Sequence, residues 1–203
     1  MAIAWLQRIA IVLAAALAAC SETASEKSAA KPSGMRAAKA PDAQAGLVEA
    51  ASKGRIDSLQ ALLAKGAALN GANKEGQTAL LVAAIENHTA AVLWLLGRGA
   101  DPSPADVLGQ TPVFFAAYNR NPEAVDALIK AGADVNSRTQ SGEFALLRAV
   151  VWGHAPTVEA LIRGGADVNM KPTDTRVPSP LQIARQGQMA EIIELLTRAG
   201  ARD

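Results

Sequence analysis

Few side chains in this chain have the chemistry of catalysis. His88 and His154 are its only histidines and Cys20 its only cysteine. A histidine is a natural general base near neutral pH, but it needs a nucleophile or a carboxylate beside it. No Ser/His/Asp set, close histidine pair or glycine-rich phosphate loop occurs in a context that would support one. Gly97-Arg98-Gly99 and Gly164-Gly165 end apolar helical runs, which suits helix termini better than phosphate cradles. Glu123, Asp126 and Glu159 fall at polar positions of helical patterns and read as a solvated face. A single cysteine excludes an intrachain disulfide and a cysteine zinc cluster. The expectation is a chain with no catalytic centre, no cofactor and no metal.

The elements that would position these side chains repeat. Gly132-Ala133-Asp134-Val135-Asn136 returns 33 residues later as Gly165-Ala166-Asp167-Val168-Asn169. Weaker copies stand at Gly66-Ala67-Ala68-Leu69-Asn70 and Gly99-Ala100-Asp101, and Gly200-Ala201-Arg202-Asp203 is a last one. Upstream of each glycine lies an apolar pair: Leu62-Leu63, Leu95-Leu96, Leu128-Ile129 and Leu161-Ile162. Further upstream lie the small pairs Ala50-Ala51, Ala83-Ala84, Ala116-Ala117 and Ala149-Val150. A fixed period of this size marks stacked units that bury their apolar faces only against their neighbours. Half of the residues are apolar but only 3% are aromatic, so alanine and leucine must build the core from closely packed helices.

Each repeated position has a local task. Thr78, Thr111 and Ser179 precede Ala79-Leu80, Pro112-Val113 and Pro180-Leu181. Thr111 can accept from a free backbone N–H at a helix start, and Pro112 loses nothing at the first helical position. Pro122 and Pro156 fit the first turn of a second helix. Gly132 and Gly165 can end that helix in the left-handed region, and Asp134 and Asp167 can bond backbone in the turn that follows.

Together these residues resemble the ankyrin repeat, over 42–203. The resemblance implies an all-α solenoid of about five pairs of short antiparallel helices joined by β-turn or hairpin loops. The family's Thr-Pro-Leu-His phrase is incomplete, because Leu81, Phe114, Leu147 and Gln182 stand where histidine would. His88 and Gly153-His154 occupy the family's Gly-His position at the start of a second helix, a structural role. The first unit has no Thr-Pro and starts from Ala45-Gly46-Leu47. In the last, Arg185 and Thr197 replace small and apolar residues, as suits a terminal unit with no neighbour. The extra length before it falls in Met170 to Pro178, the loop expected to project furthest.

The N-terminus has a different character. Residues 1–19 combine Arg8 with an apolar run from Ile9 to Ala19, an export-signal pattern too short for a comfortable membrane span. Leu17-Ala18-Ala19-Cys20 resembles the lipobox of bacterial lipoproteins, which implies acylation of Cys20 as the first mature residue. The alternatives are an ordinary cleaved signal or an uncleaved anchor. Several acyl chains would anchor stably where one is marginal. Residues 20–41, rich in Ala, Ser, Lys and Glu with no apolar period, read as a disordered linker. Such a tether has an r.m.s. span on the order of 25 Å. In that family Ser21, which is not aspartate, implies the periplasmic face of the outer membrane.

The resemblance also implies where a partner protein would bind, on the concave side made by first helices and loop tips. The corresponding positions are Val82, Ile85 and Glu86, then Phe115, Tyr118 and Asn119, then Arg148, Val151 and Trp152. Tyr, Trp and Arg are enriched in interface hot spots, which favours Tyr118, Arg148 and Trp152. Phe115 and Val151 equally suit packing between neighbouring helices. Trp94 sits at a core position of a second helix. Nearly balanced charge, 20 basic against 19 acidic residues, gives no case for nucleic acid. The expected activity is thus a monomeric, lipid-anchored, non-enzymatic interaction module. Two narrower versions are an immunity protein blocking a toxin in the periplasm and an accessory factor of a periplasmic stress-defence enzyme.

Overall fold

A computed structural model describes residues 41–202 other than 175, with side chains from Ala43 onward. The expected signal, Cys20 and the linker up to residue 40 lie outside the described residues. The described residues form ten helices in five pairs: α1 Pro41–Ser52 and α2 Ile56–Ala64; α3 Ala79–Ile85 and α4 Thr89–Leu96; α5 Pro112–Tyr118 and α6 Pro122–Lys130; α7 Ala145–Val151 and α8 Ala155–Arg163; α9 Pro180–Gln186 and α10 Ala190–Arg198. We number the pairs as repeats one to five. The first helices stack on one another in chain order, α1 to α9, and the second helices stack behind them, α2 to α10.

The helices start where the capping residues stand. Thr78 accepts from the Leu81 amide at 3.2 Å and Thr111 from the Phe114 amide at 3.4 Å. Ser179 accepts from Gln182 N while the Gln182 side chain accepts from Ser179 N, a reciprocal capping box. Pro112, Pro122, Pro156 and Pro180 occupy the first turns of α5, α6, α8 and α9, where the missing N–H has no partner to lose. α1 is the longest helix and begins at Pro41, four residues before Ala45. α7 breaks the capping pattern, since Phe144 stands in the cap position with no side-chain bond.

Helices of seven to nine residues are marginal alone, so the stack stabilises them. Ala50, Ala51, Ala83, Ala84, Ala116, Ala117, Ala149 and Val150 are all buried, and their small side chains let adjacent first helices approach. Leu95, Leu128, Leu161 and Leu196 fill the matching positions of the second helices, while in repeat one that position, Leu62, is half-buried and Leu59 is the buried leucine. At the end of the stack Arg185 and Thr197 are exposed, as the terminal unit requires.

Each second helix ends on a left-handed glycine: Gly66, Gly99, Gly132, Gly165 and Gly200 have φ between 82° and 96°. A Cβ added at any of them meets nothing within 4 Å, so the backbone conformation alone requires glycine there. Beyond each joint, a short finger leads to the next first helix. Asn73, Asp106 and Thr139 close the fingers, each accepting from the amide four residues on, at Gln77, Gln110 and Glu143. These side chains hold the fingers without the histidine that the sequence lacks. The loop at 170–178 begins against its neighbour, because Arg138 Nη1 donates to Lys171 O at 2.8 Å and Met170 packs on the core.

Candidate functional site

The exposed ends of the first helices and the fingers beside them form one face of the stack. Val82 is 7% and Arg148 6% exposed, so these two lie beneath that face and support it. Ile85, Phe115, Tyr118, Asn119 and Val151 are half-buried, and Glu86 and Trp152 are exposed. Phe115 and Val151 pack against the core, which is the packing role open to them from sequence.

Trp152 is the most exposed aromatic side chain here, at 45%. It follows α7 directly as its C-cap residue, so its backbone is fixed by the helix end. Tyr118, at the end of α5 in the preceding repeat, meets it edge to face, with ring centroids 5.7 Å apart and planes at 89°. The last residue of one first helix and the C-cap of the next, one position out of register, place the two rings together. An exposed indole held in one orientation by a neighbouring ring loses little freedom on binding.

Under Tyr118 lies a buried ion pair. Arg148 Nη2 donates to Glu143 Oε2 at 2.7 Å, and the side chains are 7% and 12% exposed. The guanidinium also lies 5.6 Å from the ring centroids of Phe114 and Tyr118. Arg148 Nε is buried without a hydrogen-bond partner. Sequence position alone suggests a surface arginine. The structure uses it internally because Glu143, at the end of the finger, turns back toward the helix that carries Arg148.

Asn119 is also engaged. Its Nδ2 donates to Ala84 O at 2.9 Å and Ile85 O at 3.0 Å, satisfying carbonyls at the end of α3. Ile85, Glu86, Tyr118, Val151 and Trp152 therefore carry the available surface, with Asn119 setting the spacing between repeats two and three. Neither Glu143 nor the bridging role of Asn119 was expected from the sequence. The signal for Asn119 was its place at the helix end, where free carbonyls need donors.

The histidines serve the fold. His88 and His154 are the N-cap residues of α4 and α8. His88 Nε2 lies 2.9 Å from Ser52 O of the preceding repeat, and His154 Nδ1 lies 2.8 Å from Thr157 Oγ1. Glu123 and Glu159 are exposed, and Asp126 pairs with Arg163 of the next repeat at 2.8 Å. Among the described residues no group of three or more His, Cys, Asp or Glu side chains is placed to hold a metal ion. No helix among them is long and apolar enough to cross a membrane. Trp94 is half-buried and packs against the core, with Arg98 stacked 3.9 Å over its ring.

The sequence model of the family described as Ankyrin repeats (3 copies) matches residues 15–106 and 98–172. A comparison with curated proteins finds no match. Ankyrin repeats are protein–protein interaction modules and typically non-enzymatic scaffolds. The match spans more than half of the chain, and the paired helices and left-handed joints continue past it through a fifth repeat. The chain belongs to the ankyrin-repeat family.

Proposed function

We propose that this chain is a lipid-tethered scaffold that captures a partner protein on the face bearing Tyr118 and Trp152. The observation that carries the reading is Trp152, an exposed indole fixed edge to face on Tyr118 in a chain almost without aromatics. The rings would be the hot spot, and Ile85, Glu86 and Val151 its surround. The buried Arg148–Glu143 pair holds Tyr118 from below rather than meeting the partner. A photo-crosslinking residue at 152 should capture the partner, and one at Leu93, exposed on α4 of the second-helix row, should not. Equal capture at both sites, or capture only at 93, sinks the reading.

The tether is proposed from Leu17-Ala18-Ala19-Cys20, with the scaffold on the periplasmic side of the outer membrane. Radioactive palmitate should label the wild type and not Cys20→Ala. Equal labelling of the two, or none of either, removes the lipid anchor and leaves the scaffold standing.

A further inference from the structure

Asparagine staples successive joints of the stack, and one staple carries a reactive sequence. Asn70 Oδ1 accepts from Asp101 N at 2.9 Å. Asn136 Oδ1 accepts from Asp167 N and Asn169 Oδ1 from Arg202 N, both at 2.8 Å. Ser137 and Met170 follow Asn136 and Asn169, whereas Gly71 follows Asn70. Asn70-Gly71 is the only Asn-Gly pair in the chain. Asparagine is a thermally labile side chain, and the residue after it decides how readily its amide is attacked. Glycine has no Cβ to hinder the approach of its own nitrogen to the asparagine Cγ, and its backbone turns most freely.

The fold calls for this pair. Gln44, on α1, reaches the joint, where its Nε2 donates to Gly71 O at 2.7 Å and its Oε1 accepts from Ala68 N at 3.0 Å. A Cβ at position 71 would collide with the Gln44 side chain and disturb both bonds. Asn70 is exposed, yet both reacting groups are occupied. Its side chain is drawn toward repeat two by Asp101 N, and the Gly71 N–H is donated back into the turn, to Ala68 O at 3.0 Å. Attack needs the nitrogen and Cγ at about 3–3.5 Å with their orbitals aligned, and the nitrogen must give up the proton that Ala68 O holds. Both bonds must therefore open first.

We infer that Asn70-Gly71 is a spontaneous deamidation site, silent while the first joint is closed, whose isoaspartate product loosens repeat one. In the open joint Gly71 N bonds to Asn70 Cγ, the Cγ–Nδ2 bond breaks, and Nδ2 leaves as ammonia with the proton from Gly71. The product is a succinimide. Water opens it at Cγ to give aspartate, or at the backbone carbonyl carbon of residue 70 to give isoaspartate. The only co-reactant is water. Aspartate keeps an acceptor for Asp101 N. Isoaspartate carries the chain through the former side chain and lengthens it by one methylene, which moves Gly71 off Gln44 and removes the staple. Among the described residues repeat one has a neighbour on one side only, so no second joint holds it. The site stands independently of the partner reading.

The test is peptide mass spectrometry of the full chain held in mildly alkaline buffer, folded and in urea. It reads the exchange of NH2 for OH at Asn70 and at Asn136, which has the same staple without the glycine. In urea Asn70 should convert at least about tenfold faster than Asn136. Folding should slow Asn70 at least about tenfold, because reaction waits on local opening. Amide hydrogen exchange at Gly71 reports the same opening and should be protected by a similar factor. Gln44→Ala, in a chain that keeps its helical content, should raise the folded rate and leave the urea rate unchanged. In the purified isoaspartate product, amide protection should fall at least about tenfold in α2 and stay as in the wild type in α8. Equal rates at Asn70 and Asn136 in urea remove the site. Equal folded and urea rates at Asn70, or a Gly71 amide without protection, remove the gate, whether or not the Gln44 variant folds. A folded rate unchanged by Gln44→Ala removes Gln44 from it. Full protection of α2 in the product overturns the loosening.

Discussion

Removing Glu143 alone should destabilise the fold more than removing the Glu143–Arg148 pair. The two groups touch at 2.7 Å and are 12% and 7% exposed. With charge centres about 4 Å apart, their attraction is about 4 kcal/mol at an effective dielectric of about 20. Desolvating the two ions costs several kcal/mol each, so the intact pair stands near break-even. Glu143→Ala keeps the cost of burying the guanidinium and removes its compensation, while Nε is already without a partner. The Phe114 and Tyr118 rings, both 5.6 Å away, offset about 0.5–1 kcal/mol each. The expected loss is about 3 kcal/mol, the lower end of the range for breaking a buried pair. Arg148→Met combined with Glu143→Leu should stay within about 1 kcal/mol of wild type or exceed it. Urea unfolding followed by circular dichroism measures all three chains, with unchanged m-values as the check on cooperativity. If Glu143→Ala costs under about 1 kcal/mol, or the double variant is as unstable as the single, the pair is not a compensated buried one.

Other expectations are smaller and local. Gly132→Ala, at φ 96° with open space around the new methyl, should cost about 1–2 kcal/mol by backbone strain alone, seen as a lowered urea midpoint. Arg120 holds φ 57° at the turn where repeats one and four use Gly54 and Gly153, so Arg120→Gly should stabilise by up to about 1 kcal/mol. The Arg176 side chain, and then its amide, hold the Asp174 carboxyl down from 3.8 to about 2. With the folded value depressed, any stability from this contact is complete above pH 4 and disappears as pH falls through about 2. An NMR titration should find Asp174 ionising near 2, and Arg176→Ala should return it toward 3.8.

Much of the architecture is legible in the sequence because each signal has a local cause. Thr111 followed by Pro112 can only help by starting a helix, and Gly132 and Gly165 are required by left-handed backbone whatever surrounds them. The candidate face was legible in position but not in exposure. Phe115 and Arg148 share the middle position of α5 and α7 and Trp152 follows the end of α7, yet one is half-buried, one buried and one exposed. That difference depends on contacts made across the stack: Glu143 drawing Arg148 inward, and Tyr118 meeting Trp152 from another repeat. The finger closures by Asn73, Asp106 and Thr139 were hidden for a simpler reason. They recur at the repeat period, but as different residue types sharing only a side-chain acceptor.

The central claim is that the Tyr118–Trp152 face holds the partner. Its most direct test is the equilibrium affinity of the crosslinked partner, once purified, for the wild type, Trp152→Ala and Leu93→Ala. A fully buried aromatic anchor is worth at least about 2 kcal/mol, or roughly a 30-fold rise in Kd. Its loss from the free fold should cost only the ring contact, about 0.5–1.5 kcal/mol. Trp152→Ala should weaken binding about 30-fold or more in a folded protein while Leu93→Ala binds as wild type. Unchanged affinity for Trp152→Ala, or an equal loss with Leu93→Ala, contradicts it.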